Sequence, residues 1–155
     1  MTTTWKQALR EGIVSGSLAA LFSAGYLAWA GRQRGMPAAP LNAVSHWLLG
    51  SEALESDRPS VRYTLTGYLT HHAASIFWGT LHARLWGGKP SHKEPLPALA
   101  GAAAASGIAC FVDYQLTPQR LTPGFEHRLG KPELANVYVC FALGLAVGTL
   151  LMRRR

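Results

Sequence analysis

The side chains able to do chemistry are few and unevenly placed. Three of the six histidines, His71, His72 and His82, share one apolar stretch. Among the eight carboxylates, Asp113 is the one that falls inside such a stretch. At 100° per residue, His71, Ser75, Trp78 and His82 fall on one narrow stripe of a helix. A second group follows Asp113, in the loop from Tyr114 to Arg128. That loop carries Arg120, Glu126 and His127 and repeats Leu-Thr-Pro at positions 116 and 121. Thr122-Pro123-Gly124-Phe125 suits a type II turn, with proline second and glycine supplying positive φ third.

Depth sorts these groups. If the second and third apolar runs are antiparallel helices, Thr64 and Leu116 lie at one membrane face. His71 is then seven residues in and Asp113 three. At 1.5 Å per residue the two differ in depth by only about 6 Å. Asp113 can pair with His71 or His72, and Arg120, Glu126, His127, Asn136 and His46 can gather on the same side. His82 and Arg84 lie toward the opposite face, where Glu11 is the nearer acid.

Two chemistries fit. An ionisable group in hydrocarbon is costly and suggests function, here proton relay or cation binding by an Asp–His pair in a small transporter or channel. The plainer reading leaves Asp113 hydrated near the interface or paired with Arg120. It is preferred because a single acid enters the core. No cofactor is expected. A bis-histidine haem would need His46 or His127 from a loop, because the other candidates share one helix. No metal is expected either, since adjacent helical residues such as His71 and His72 point about 100° apart. A nucleophile elbow, a phosphate loop and a dinucleotide fingerprint are all missing from the sequence, so enzymatic activity is disfavoured though a membrane enzyme stays open. Cys110 and Cys140 lie in apolar runs and read as small buried hydrophobes.

Four apolar runs must position these residues, at about 12–31, 63–86, 96–116 and 134–152. Each approaches the roughly 20 helical residues that span hydrocarbon. The 155-residue chain has 48% hydrophobic and only 15% charged residues, against about 25% charged in soluble domains. Its net charge of +7 sits at the edges of the runs. That pattern suits anionic headgroups and topology signals better than a phosphate track, so nucleic acid is not an expected partner. The bilayer is, and a second copy or another membrane protein could dock.

The first run places Gly16, Ala20, Ala24 and Ala28 on one small-residue face. Lys6, Arg10 and Ala28-Trp29-Ala30 also admit a cleaved signal peptide, although the apolar stretch exceeds the usual length. The second run is polar and the third Ala-rich, so these two are expected to form the inner pair. The fourth carries Gly144-x-x-x-Gly148, a helix-packing motif. Pro132 and Glu133 suit its first turn. In the first loop, Asn42 can cap a short interfacial helix with Val44, Trp47 and Leu48 on one face, ended by Gly50. The expected fold is all-α: one domain, a bundle of four transmembrane helices with that interfacial helix. Both termini are placed in the cytoplasm by eight basic residues against seven and by the Arg153-Arg154-Arg155 tail.

Asn42-Ala43-Val44-Ser45-His46-Trp47 with Gly50, Asp113-Tyr114, and Arg120 to Glu126 together resemble an uncharacterised family of small four-helix inner-membrane proteins of proteobacteria. More distantly, the four-run plan and the Leu-Thr-Pro after the third run resemble YagU-like proteins. This chain is shorter, and its first loop differs. The resemblance implies a bacterial inner membrane and a part in envelope or acid-stress tolerance. It implies no catalytic residues.

Overall fold

The computed structural model describes residues 3–154, and among these the regular structure is entirely helical. Seven α-helices run in order: α1 (Trp5–Gln33), α2 (Ala39–Val44), α3 (His46–Leu49), α4 (Glu52–Glu55), α5 (Thr66–Trp86), α6 (Pro95–Phe111) and α7 (Lys131–Leu151). A π-helical turn, Val61–Leu65, leads into α5, and another, Val112–Leu116, ends α6. The all-α expectation holds. Three helical stretches are long and apolar enough to cross a membrane: Trp5–Gln33, Pro95–Leu116 and Lys131–Leu151. The second run forms a helix of ample length, but its Thr, Ser and His content keeps it out of that group.

The first helix starts earlier than expected, so Lys6, Arg10 and Glu11 lie on α1 itself. The fourth begins at Lys131, with Pro132 and Glu133 in its first turn as their types suggest.

The chain divides into two compact units. One takes the chain up to Ser23, His72–Ala109, and Tyr138 onward; the other takes Ala24–His71 and Cys110–Val137.

In the first unit, backbones approach through small residues. A Cβ at Gly16 would come within 2.5 Å of the Ser75 carbonyl oxygen on α5, and one at Gly79 within 2.8 Å of the Gly12 oxygen. On α7, a Cβ at Gly144 would meet Ala19 Cα at 2.5 Å, and one at Gly148 would strike Ser15. The motif of α7 therefore packs within the chain, against α1. Ala19, Ala102, Phe141, Leu145 and Ala146 form the core, flanked by Trp78 and Ala105. Ser106 Oγ donates to the Tyr138 carbonyl at 2.7 Å, joining α6 to α7.

This arrangement corrects the expected inner pair. α1 touches both α5 and α7, and the apolar stretches of α1 and α7 are each 44% buried, against 28% for α6. Small side chains permit close approach on any face that meets a partner, and α1 has two such faces. The Ala-rich α6 has little bulk to bury, and a Cβ at its Gly107 would meet nothing within 4 Å.

In the second unit, the expected interfacial helix is broken into α2 and α3, with Ser45 between them. Every residue of α2 is buried. Asn42 lies inside α2 rather than capping it, because its side chain has stronger partners elsewhere. Val44 points inward and Leu48 outward, so the supposed common face does not exist. Gly50 does end α3, at φ 82°.

Candidate functional site

The junction of the two long loops lies wholly in the second unit and contains most of the residues singled out by type. It is built around Asn42, which is fully buried. Asn42 Nδ2 donates to the carbonyls of Ser56 at 2.9 Å and Arg58 at 3.0 Å. Its Oδ1 accepts from Thr64 Oγ1 at 2.6 Å. Thr64 Oγ1 in turn accepts from the Ser60 backbone N–H, and Ser60 Oγ accepts from that of Tyr63. One amide thus fastens α2 to the end of its own loop and to the π-helical turn before α5. Such a buried amide is stable only when both ends are satisfied.

The second long loop docks on the same helices. Trp47 Nε1 donates to the Thr122 carbonyl at 2.8 Å. Gly124 has φ 93°, as its place in the turn requires. A Cβ there would meet the Ala43 oxygen at 2.5 Å and His46 Nδ1 at 2.7 Å. His46 is buried, and its Nδ1 lies 2.7 Å from the Ala43 carbonyl. A carbonyl only accepts, so this ring nitrogen carries the proton.

Arginines complete the seam. Arg128 donates to the Leu54 carbonyl at 2.9 Å and pairs with Asp57. Arg34 donates to the Arg128 carbonyl at 2.7 Å and pairs with Glu133 at 2.9 Å. Arg34 and Arg128 do not stand out by type among the arginines of the sequence. Residue type gives no signal for them, since the first loop carries Arg32, Arg34, Arg58 and Arg62 beside Glu52, Glu55 and Asp57.

The other expected residues are placed as follows. Asp113 lies in the Val112–Leu116 turn, and both Asp113 and His71 have interaction partners. Arg120 and His127 are exposed. Asn136, also exposed, donates to the Tyr26 hydroxyl at 3.0 Å. Glu126 is the unusual member. Both its carboxylate oxygens are shielded from solvent without a hydrogen-bond donor, and His127 Nε2 stands 3.9 Å away, beyond hydrogen-bond reach.

His72 belongs to the first unit, where its Nε2 shares a 2.8 Å hydrogen bond with Ser17 Oγ. The stripe it borders faces inward: Ser75 and His82 are buried and Trp78 packs on the core. His82 makes no hydrogen bond through either ring nitrogen. Glu11 accepts from Lys93 Nζ at 2.7 Å. Arg84 instead lies over the Trp5 ring, 5.3 Å from its centroid. Both cysteines are free thiols. Among the described residues, no three His, Cys, Asp or Glu side chains gather to hold a metal ion.

Fold and site together define a helical protein with three segments suited to a bilayer and a polar seam between its two long loops. No protein-family model, curated protein or solved structure matches the chain.

Proposed function

We propose that the chain is a multi-pass bacterial inner-membrane protein that acts without catalysis, supporting envelope or acid-stress tolerance. The observation that carries this reading is where the polar groups of the loop seam are used. Asn42, Trp47, Arg34 and Arg128 direct donors to backbone carbonyls and so hold two loops in place. Such groups fasten structure rather than await a substrate.

Four crossings are favoured over three by the ends of the chain. Glu11 near the start of α1 pairs with Lys93 of the α5–α6 linker at 2.7 Å, and Arg153 after α7 pairs with Glu94 of that linker at 2.8 Å. A chain that starts and ends on one side crosses an even number of times, so α5 counts as a crossing beside α1, α6 and α7. Large apolar side chains left exposed on the three apolar helices, including Leu21, Phe22, Ile108, Phe111, Val139 and Leu143, suit lipid. The basic residues around the shared end favour the cytoplasmic side for it.

A deletion strain screened across acid, osmotic and detergent stress tests the role. Sensitivity restored by the plasmid-borne gene is expected, and wild-type growth under every stress would overturn it. A reporter fused after Arg155 that is active only outside the cytoplasm would overturn the orientation.

Glu126 favours a second reading, a proton- or cation-coupled path using Asp113 with His71. A shielded carboxylate without a donor has acceptor capacity to spare for a cation. A pH-sensitive flux in proteoliposomes, abolished by Asp113→Asn, would decide for this reading.

A further inference from the structure

At the end of the first unit where α1 begins, a cavity of about 370 Å³ is lined by Thr4, Lys6, Gln7, Arg10, Glu11, Lys93 and Met152. That volume lies within the range of small-molecule sites. Its charge is unbalanced. Glu11, the one carboxylate in the wall, is neutralised by Lys93 at 2.7 Å and also accepts from Gln7 Nε2 at 3.3 Å. Lys6 and Arg10 stand one helical turn apart, so both cations project from one face. Among the described residues neither side chain makes a hydrogen bond or ion pair. Nearby, Arg84 lies over Trp5, and Arg153 is taken up by Glu94. The cavity therefore offers two uncommitted cations and a polar amide to an anion.

A second observation points to the kind of anion. Trp5, Leu9 and Ile13 form an exposed apolar row on α1, 61%, 50% and 47% accessible, which starts level with Lys6. Spaced four residues apart, they continue one face of the helix away from the cavity. An exposed tryptophan at the head of such a row suits the headgroup level, with the aliphatic residues beside acyl chains. A ligand with a phosphate at one end and hydrocarbon at the other matches both features.

We propose that this cavity is a binding site for the phosphate-bearing headgroup of an anionic phospholipid, whose chains lie along Leu9 and Ile13. The proposal rests on the reading of the chain as a membrane protein and not on its role in stress tolerance. Each cation near the surface is worth about a fivefold change in binding, so removing both costs about thirtyfold.

The test is native mass spectrometry of the full chain purified in a neutral detergent and titrated with phosphatidylglycerol, phosphatidylcholine or inorganic phosphate. Phosphatidylglycerol is expected to be retained over phosphatidylcholine. Lys6→Gln/Arg10→Gln should remove that preference, the single Arg10→Gln should weaken it about fivefold, and Arg32→Gln, at the other end of α1, should leave it intact. Both replaced side chains are exposed, so circular dichroism should show unchanged helicity. Leu9→Ser/Ile13→Ser should weaken retention of phosphatidylglycerol and leave inorganic phosphate unaffected. Equal retention of the two lipids, or equal loss in Arg32→Gln, overturns the site. Inorganic phosphate binding at Lys6 and Arg10 with no lipid preference overturns the lipid source. A deletion strain without a stress phenotype would defeat the proposed role while leaving this result standing, whereas a chain recovered outside the membrane fraction would defeat both.

Discussion

Replacing Asn42 by alanine should cost the protein about 3 kcal/mol of folding free energy. The figure comes from the amide's contacts. Two donated bonds, to the Ser56 and Arg58 carbonyls at 2.9 and 3.0 Å, and one accepted from Thr64 at 2.6 Å would be lost. Each is worth about 1 kcal/mol net, and more where the partner is left buried without a substitute. Asn42→Asp keeps the shape but turns a carboxylate oxygen toward two carbonyls, so it should cost more than alanine. The measurement is reversible unfolding in mixed micelles, followed by circular dichroism as the denaturing detergent fraction rises. Asn136→Ala is the reference, because it removes one exposed bond to Tyr26 and should cost less than about 1 kcal/mol. If Asn42→Ala fell within error of Asn136→Ala, or if Asn42→Asp were the milder change, the amide would not be what fastens α2 to the π-helical turn.

Three further outcomes follow from the packing, each read in the same assay. Gly148→Leu should destabilise by about 1–3 kcal/mol or more, since its Cβ would strike Ser15, whereas Gly25→Leu, with nothing within 4 Å, should be neutral or slightly stabilising. Gly124→Ala should cost more than Gly50→Ala. Both glycines have positive φ, at 93° and 82°, and carry a backbone penalty of about 1–3 kcal/mol, but only Gly124 also faces the Ala43 oxygen at 2.5 Å. Lys93→Met should cost about 3–5 kcal/mol by stranding the buried Glu11, and Glu11→Leu combined with Lys93→Met should cost less than Lys93→Met alone.

Much of the local structure was legible in residue order. Apolar length marked α1, α6 and α7, because burying a helix in hydrocarbon depends on composition over about 20 residues and on no partner. Pro132 with Glu133, and the glycines at 50 and 124, announced a helix start, a helix end and a turn, because caps and positive φ are decided within a few residues. Gly144 and Gly148 announced close packing in the same way, though not against which helix.

The partners were decided by the tertiary structure alone. Asn42 has the type of a helix cap, yet it serves as a buried clamp because Ser56, Arg58 and Thr64 are brought to it from 14, 16 and 22 residues away. Glu11 had candidates on α5, but the linker delivered Lys93. The chemistry-bearing residues divide in the same manner. His72 is joined to Ser17 across 55 residues, while Arg34 and Arg128, unremarkable by type, become the rivets of the loop seam. Hydrogen bonds act over about 3 Å. Sequence spacing reports such distances only within a turn of helix, so residue type announced which groups need partners and the fold alone chose them.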